Sequence, residues 1–582
     1  MCGIIGYIGQ KEANSIALAG LKSLEYRGYD SFGIANKTDK INVFKDVGKI
    51  GQIEKIPLEN SKIAIGHSRW ATHGGVTKAN SHPHCTKDIA VVHNGIIENF
   101  QELKAFLISE GYNFKSETDT EIIAVHVQFF LDKGDKIEDA FHKTLQKLKG
   151  SFAIGLLYSE DNRIYFARRG SPLILGVGEE EMFLASDVPA FLEHTNKVIY
   201  LDDDEYGYFD ENQYEIFTLD NQPVEKEIKI INWSVEQAKK GDYPHFMLKE
   251  INEQKQTVEL AIEQDPEFLD NAAELIRQAK HVFFVGCGTS YHSCVSASYV
   301  FSKTAKKHVN VILGSEFRNY EHFLNENTLI IAVSQSGETA DLLDAVKVAK
   351  KHSSKVIAIA NVMGSTLTRM ADHSIMMNAG PEICVLSTKS YTSQLAILTL
   401  LAYTTAKKFD EGKLMIQQAI AHIPKVIDEN IEKLQELAEK IKSAEDLFLI
   451  GRDLAYPSAL EGALKIKEVS YIHAEGFAGG ELKHGTIALI EEDVPVLVFS
   501  TDDTRQLILS NAMEIKARGG YIIGIDSKEN DIFDYLIKVP SVKDADPILM
   551  IIPIQILSYY LALKRGCDPD KPRNLAKSVT VK

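Results

Sequence analysis

HVFFVGCGTS, residues 281–290, is an apolar run that ends in glycine and hydroxyl residues, and DLFLIGRDLA (446–455) repeats its pattern at an offset of 165. LIIAVSQSGET (329–339) meets VLVFSTDDT (496–504) at an offset of 166 where Ser334 and Ser500 coincide, and KVIAIA (355–360) meets GYIIGI (520–525) at 165. Both copies end in an apolar helical run containing glutamine, SQLAILTLLAY (393–403) and IQILSYYLAL (554–563). Strands alternating with helices imply parallel α/β units. A steady offset over four elements therefore predicts two duplicated, doubly wound α/β lobes, with a period too long for a solenoid.

The two copies differ where a ligand would bind. In the first, an apolar strand leads into Ser334, Gln335, Ser336, Gly337, Glu338 and Thr339, with a helix from about Ala340. Hydroxyls and free N–H groups at a helix N-terminus form an anion cradle, although the same residues also simply cap helices. A second strand end, Gly286–Ser290, can converge on the same anion. The second copy has Asp502 and Asp503 at the matching place, and two carboxylates repel a phosphate. One phosphate site is expected, in the first lobe. GCGTSY is not GxGxxG, so no dinucleotide site is expected.

Working outward, residues 2–220 read as one unit. Runs at Ile4–Ile8, Ile63–Ile65, Ile89–Val92, Phe152–Tyr158 and Arg163–Ala167 read as strands, and Asn14–Leu24, Asn99–Glu110 and Thr120–Leu131 as helices. A polar stretch, 221–256, reads as a linker. The lobes are then 257–410 and 411–565, with a C-terminal tail at 566–582. The chain has 582 residues, which suggests about three to five domains. Its 64 Lys and Arg against 81 Asp and Glu give a net charge of −17, which argues against a nucleic-acid footprint. MCGIIGYIG has no signal-peptide pattern. The apolar run 547–563 is short for a membrane span and carries Pro553 and Gln555, so a buried core helix is expected. Six cysteines without a CxxC pair read as reduced thiols of a cytoplasmic protein. HPHC (82–85) lacks a second ligand pair, so no zinc site is expected.

Two groups of residues carry chemistry. If Met1 is removed, Cys2 gains a free amine of pKa about 7.7–8.0 beside a thiol of about 8.5, a nucleophile with its own base. HSRWATHG (67–74) carries Arg69, Thr72 and His73. HNGIIEN (93–99) supplies Asn94 and Gly95, an amide and an N–H suited to an oxyanion hole. SETDTE (116–121) carries Asp119. An arginine for a carboxylate and an aspartate for an ammonium suit an α-amino acid. His67, His82, His84 and His93 individually read as structural or surface residues. In the second lobe, Glu461, Lys465 and Glu468 share a helix face at spacings of four and three. His484 follows in a Gly-rich loop, and Lys577 lies in the polar tail.

CGIIGYIG, LEYRGYDSFGIA (24–35), HSRWATHG, HPH, HNGIIENF and SETDTE resemble the glutaminase domain of the N-terminal-nucleophile glutamine amidotransferases. The resemblance implies an αββα sandwich, with Cys2 as nucleophile and Asn94 and Gly95 as oxyanion hole. Arg69, Thr72, His73 and Asp119 would bind glutamine, and Trp70 would be a gating indole. GCGTSY, SQSGETAD, STKS, EGALKIKEVSYIHAE, GELKHG and KPRNLAKSVTV are similar to the paired sugar-isomerase (SIS) lobes of the glutamine–fructose-6-phosphate aminotransferase family. That resemblance implies L-glutamine and D-fructose 6-phosphate as substrates, a Schiff base at Lys577, proton transfer by Glu468 and ring opening by His484. Thr289, Ser290, Ser334, Gln335, Ser336, Thr339, Ser387, Thr388 and Lys465 would bind the sugar phosphate. It further implies a homodimer of bacterial type, lacking the insertion tied to nucleotide-sugar feedback, with no cofactor, metal, nucleic acid or membrane partner. HGT (484–486), FAGG (477–480) and Tyr391 depart from the family pattern without removing a named group.

Two other readings are weaker. A Cys-first amidotransferase acting on a phosphoribosyl substrate needs a phosphoribosyltransferase loop, which SQSGET replaces. A sugar-phosphate-sensing regulator has little use for Cys2, Asn94 and Asp119, and no basic DNA-binding segment is seen.

Overall fold

The computed structural model describes residues 2–71 and 73–580. Met1 and Thr72, the latter one of the expected glutamine-binding residues, lie outside the described residues. The chain divides into two compact units, one of the described residues up to Lys239 together with those from Ser578 on, the other Lys240–Lys577.

The first unit holds two antiparallel sheets. One has eight strands in the order Lys229–Ile230, Lys197–Tyr200, Ile174–Val177, Glu181–Ala185, Gly3–Gly9, Ile63–Arg69, Ser31–Lys37 and Ile41–Val47. The other has six, in the order Tyr214–Thr218, Glu205–Phe209, Ile164–Arg169, Gly150–Tyr158, Ile89–Ile97 and His84–Cys85. Alternation along each strand divides the core into layers. Ile4, Ile8, Val92, Ala153 and Leu157 meet between the sheets. Val91, Ile154 and Leu156, on the other face, pack under helices Phe100–Ser109, Glu121–Asp132 and Ile137–Lys147. Helix Ala13–Ser23 covers the first sheet, where Gly66 leaves room for Leu21 and Ile5. The four layers are those of an αββα sandwich.

The second unit carries the duplication. Its first five-stranded parallel sheet runs Asn310–Leu313, His281–Gly286, Thr328–Ser334, Lys355–Ala360 and His373–Met376. Its second runs His473–Ala478, Asp446–Gly451, Pro495–Phe499, Tyr521–Asp526 and Tyr535–Lys538. Each has the strand order 2-1-3-4-5. In such sheets ligands bind at the carboxyl ends of strands 1 and 3, where the winding reverses. In the first lobe those ends are Gly286 and Ser334, paired side by side through Val285 and Ala332. Both faces of the three central strands of each sheet are buried, as parallel sheets require, while the edge strands are half-buried. Phe283 and Val285 pack outward with Leu342 and Val346. Val282 and Phe284 pack inward, into one core shared by both lobes.

Two helices fill that shared core. Every residue of Lys389–Thr405 is buried, and Asp546–Lys564 contains the apolar run 547–563, 89% of its most apolar window being buried. The glutamines that matched in the repeat are internal ties. Gln394 accepts from Ser293 and donates to Ser290. Gln555 accepts from Gln254 and donates to the Thr388 carbonyl.

The stretch read as a linker is structured. Lys229–Ile230 extends the eight-stranded sheet beside Lys197–Val198. Helix Phe246–Asn252 belongs to the second unit, with Met247 and Ile251 fully buried in its core.

Candidate active sites

The first site forms around the strand ends near Cys2. The strand Gly3–Gly9 pairs with Ile63–Arg69, which brings Trp70 beside Cys2. The Cys2 thiol accepts from the Trp70 N–H at 3.2 Å. Burial pushes this thiol up, opposed by that N–H and by the charges of Arg69 and Arg27. The LEYRG motif anchors the chain here. Arg27 pairs with Asp187 at 3.0 Å and donates to the Cys2 carbonyl at 3.4 Å, while Tyr26 donates to Asp187 at 2.7 Å.

Asn94 and Gly95 lie on the strand Ile89–Ile97. The Asn94 Nδ2 group donates to the Cys2 carbonyl and to Ser186 Oγ, each at 2.9 Å. Gly95 has φ +129°, and a Cβ there would stand 2.1 Å from the Ser151 carbonyl oxygen, so no other residue fits. Asp119 accepts from the Ile97 N–H at 2.8 Å. Its turn is fastened by Glu121, which accepts from the N–H groups of Lys115 and Ser116 and from the Ser116 hydroxyl. Arg69 donates to the carbonyls of His73, Gly74 and Gly75, tying down the loop after its strand. Cys2, Arg69, Trp70, His73, Asn94, Gly95 and Asp119 line one cleft. Tyr29 packs edge-on against Trp70. The HPHC segment lies behind it: His82 stacks on His67 at 4.0 Å, and His84 bonds Thr118 at 2.9 Å.

The second site is at the carboxyl ends of the first-lobe strands. Ser334 Oγ accepts from the Gly337 N–H at 3.0 Å and lies 3.3 Å from Thr339 Oγ1. Ser336 Oγ accepts from the Glu338 N–H at 3.1 Å. These bonds fold the loop so that it leads into helix Ala340–Lys351 at Thr339. At the matching place in the second lobe, Asp502 pairs with Lys528 and Asp503 with Lys303.

Helix Ala455–Ser470 carries the charged face, and it is largely buried. Lys465 Nζ lies 3.2 Å from Glu461 and 2.9 Å from Glu468, and donates to Thr289 Oγ1 at 3.0 Å and to the Ser387 carbonyl at 3.4 Å. Burial alone would lower its pKa, but the two carboxylates hold it above its ordinary value. Glu461 also accepts from Thr289 at 3.0 Å and pairs with His292 at 2.7 Å.

The Lys577 side chain is almost wholly buried. Its Nζ lies 2.5 Å from Glu382 Oε2 and donates to the Leu386 carbonyl at 3.2 Å. Leu386 and Ser387 are consecutive, so one loop receives both lysines. Glu382 also accepts from the N–H groups of Thr388 and Ser390 and from the Ser390 hydroxyl. Glu250, from helix Phe246–Asn252, accepts from the N–H groups of Ile383 and Cys384. Sequence reasoning missed Glu382, Glu250 and His292.

Two expected residues are placed differently. Thr388 is fully buried, with its hydroxyl turned to Glu250 at 3.4 Å, so it does not line an open site. Ser290, as buried as its neighbour Thr289, accepts from Gln394 and keeps its place at the strand end. His484 is exposed on the turn Glu481–His484, and among the described residues no hydrogen bond joins it to Lys465, Glu468 or Lys577.

The buried carboxylates predict a pH dependence. Burial and the charge of Glu382 push Glu250 up to about 8 from an ordinary 4.5. Burial would raise Glu382 as well, but Lys577 and the loop N–H groups hold it low. Between 4.5 and about 8 the folded chain therefore holds a proton at Glu250 that the unfolded chain has lost. Stability from this group is present at the acidic end of that window and falls as pH rises through it. Glu250→Gln should flatten the fall in thermal midpoint between pH 5 and 8. Superimposable profiles for the two proteins would refute this.

Comparison with known proteins gives the family. A glutamine amidotransferase domain model matches residues 67–193, and a SIS domain model matches 275–404 and 440–565. The glutamine–fructose-6-phosphate aminotransferase (isomerizing) of Thermococcus kodakarensis is 46% identical over the whole of both chains, and that of Pyrococcus horikoshii 47%. The chain belongs to the glutamine–fructose-6-phosphate aminotransferase (isomerizing) family. A solved C-terminal domain of such an aminotransferase from Francisella tularensis covers 57% of this chain and all of its own, at 35% identity and a TM-score of 0.53. The duplicated α/β architecture is thus that of an aminotransferase isomerase half.

Proposed function

We propose that the protein converts D-fructose 6-phosphate and L-glutamine to D-glucosamine 6-phosphate and glutamate, the first step of hexosamine and amino-sugar biosynthesis. The Cys2 thiolate attacks the glutamine amide carbon, and the oxyanion is met by Asn94 Nδ2 and the Gly95 N–H. Collapse releases ammonia and leaves a thioester, which water hydrolyses to glutamate. Arg69 holds the substrate carboxylate and Asp119 its ammonium, and Thr72 and His73 complete the glutamine-binding set.

Ammonia then passes within the protein to the isomerase site, with Trp70 as gate. Transfer out of contact with water keeps it unprotonated and nucleophilic. His484 opens the sugar ring, reaching the site from the neighbouring subunit of a cytoplasmic homodimer. Lys577 condenses with the C2 ketone, losing water, and ammonia displaces it to give the C2 imine. Glu468 moves a proton from C1 to C2 and the C1 hydroxyl gives its proton to the nitrogen, which turns the imine into the amine and C1 into the aldehyde. Thr289, Ser290, Ser334, Gln335, Ser336, Ser387, Thr339 and Lys465 bind the sugar phosphate. The observation that carries this reading is the buried Lys577–Glu382 pair on the loop that also receives Lys465, in a chain that bears Cys2 beside Asn94.

The test is a product assay with glutamine labelled at its amide nitrogen. Label should enter the amino sugar in step with glutamate release, and unlabelled ammonium in the medium should not dilute it. Glutamate without labelled amino sugar would refute the coupled reaction; full dilution would refute internal transfer.

A further inference from the structure

His67 lies on the strand Ile63–Arg69, fully buried, opposite Ile4. Its Nε2 is 3.0 Å from Asn94 Oδ1 and 3.0 Å from the His93 carbonyl oxygen. Both neighbours are acceptors, so Nε2 carries the hydrogen and is shared between them. The other nitrogen, Nδ1, is buried and has no hydrogen-bond partner among the described residues. A proton there would be an unsatisfied buried donor, so the ring is neutral, and burial pushes its pKa down to about 3. His82 stacks on the ring at 4.0 Å and fixes its plane.

This tautomer decides how the Asn94 amide points. With Oδ1 taken by His67, Nδ2 faces the Cys2 carbonyl and Ser186 Oγ. Ser186 is itself set, accepting from the Ile4 N–H at 2.8 Å. An amide turned the other way would place its oxygen against the Cys2 carbonyl oxygen and its NH2 against the His67 donor. We propose that His67 is a positioning residue for glutamine hydrolysis, its Nε2–H holding the Asn94 amide so that Nδ2 stays on the Cys2 side, where one of its two hydrogens exchanges the Cys2 carbonyl or Ser186 Oγ for the developing oxyanion. The proposal rests on the glutaminase reading above.

Removing an oxyanion donor outright costs about 10²- to 10³-fold in kcat, and loosening one should cost less, about 10- to 100-fold. His67→Phe should lower kcat for glutamate release by that factor with KM for glutamine changed less than about threefold, because ground-state binding by Arg69 and Asp119 is untouched. His67→Gln, which keeps an N–H donor, should recover most of the rate. In an Asn94→Ala background His67→Phe should cost nothing further. Synthesis driven by added ammonium serves as the measure of folding. If His67→Phe fails to fold, His67→Asn, whose amide is too short to reach Asn94, should lose kcat while His67→Gln keeps it. Unchanged kcat in His67→Phe, an undiminished loss in the Asn94→Ala background, or equal rates in the Asn and Gln variants would overturn the role of His67. A wild-type chain that releases no glutamate would instead overturn the glutaminase reading itself.

Discussion

Cys2→Ala should abolish glutamine-driven formation of glucosamine 6-phosphate, by at least about 10³-fold, while leaving synthesis from added ammonium within about threefold. The asymmetry follows from the division of labour. The Cys2 thiol accepts from the Trp70 N–H, and the Cys2 carbonyl is held by Asn94 and Arg27. The two bonds to the carbonyl are backbone contacts that alanine retains, and only the bond from the Trp70 N–H to the thiol is lost, so the cleft keeps its shape and loses the nucleophile. Asn94 and Gly95 alone cannot hydrolyse an amide at a useful rate, because the oxyanion they stabilise never forms. Residual hydrolysis of glutamine above about 1% of wild type would mean that water attacks directly and that Cys2 is structural. Loss of the ammonium-driven reaction as well would mean that the two halves are not separable.

The parts of this arrangement differ in how far they could be read from residues alone. The duplication was legible at the three central strands of each lobe, whose long apolar runs repeat at offsets of 165 and 166, but not at the short, half-buried edge strands that complete the 2-1-3-4-5 order. Glu461, Lys465 and Glu468 were legible as a helix face, and Ala463, Leu464, Ile466 and Val469 around them as a sign that the helix is largely buried, but not their partners. Those are Thr289 and Ser387, which only the tertiary fold brings to Lys465. HFMLKEINEQ read as linker because a seven-residue helix offers few apolar positions to count; Met247 and Ile251, four apart, are the pair that buries it and delivers Glu250. His67 carries no local sign of its use, since a histidine in a strand is ordinarily a satisfied core residue. Its meaning depends on the acceptors that Asn94 and His93 present from the other sheet. A lone lysine in a polar tail is equally silent, and Lys577 was singled out by family resemblance alone.

Lys577 carries the other large effect. Lys577→Met should abolish amino-sugar formation with either nitrogen source, by at least about 10³-fold, and leave glutamate release measurable, because the Schiff base has no other nucleophile. Methionine also leaves Glu382 buried without its cation, which costs about 3–5 kcal/mol. A loss of activity alone would therefore not separate chemistry from stability. Two further variants do. Lys577→Arg keeps a positive charge near Glu382, but a guanidinium does not shed its proton to attack a ketone, so stability should largely return and synthesis should not. Lys577→Met combined with Glu382→Gln removes both charges and should recover stability with synthesis still absent. Reduction with borohydride in the presence of fructose 6-phosphate should add one sugar phosphate to the wild-type chain and none to either variant. Synthesis by the arginine variant, or an adduct on a lysine other than Lys577, would assign the imine elsewhere. In that case the pair with Glu382 would be a structural tie between the tail and the loop at 382–390.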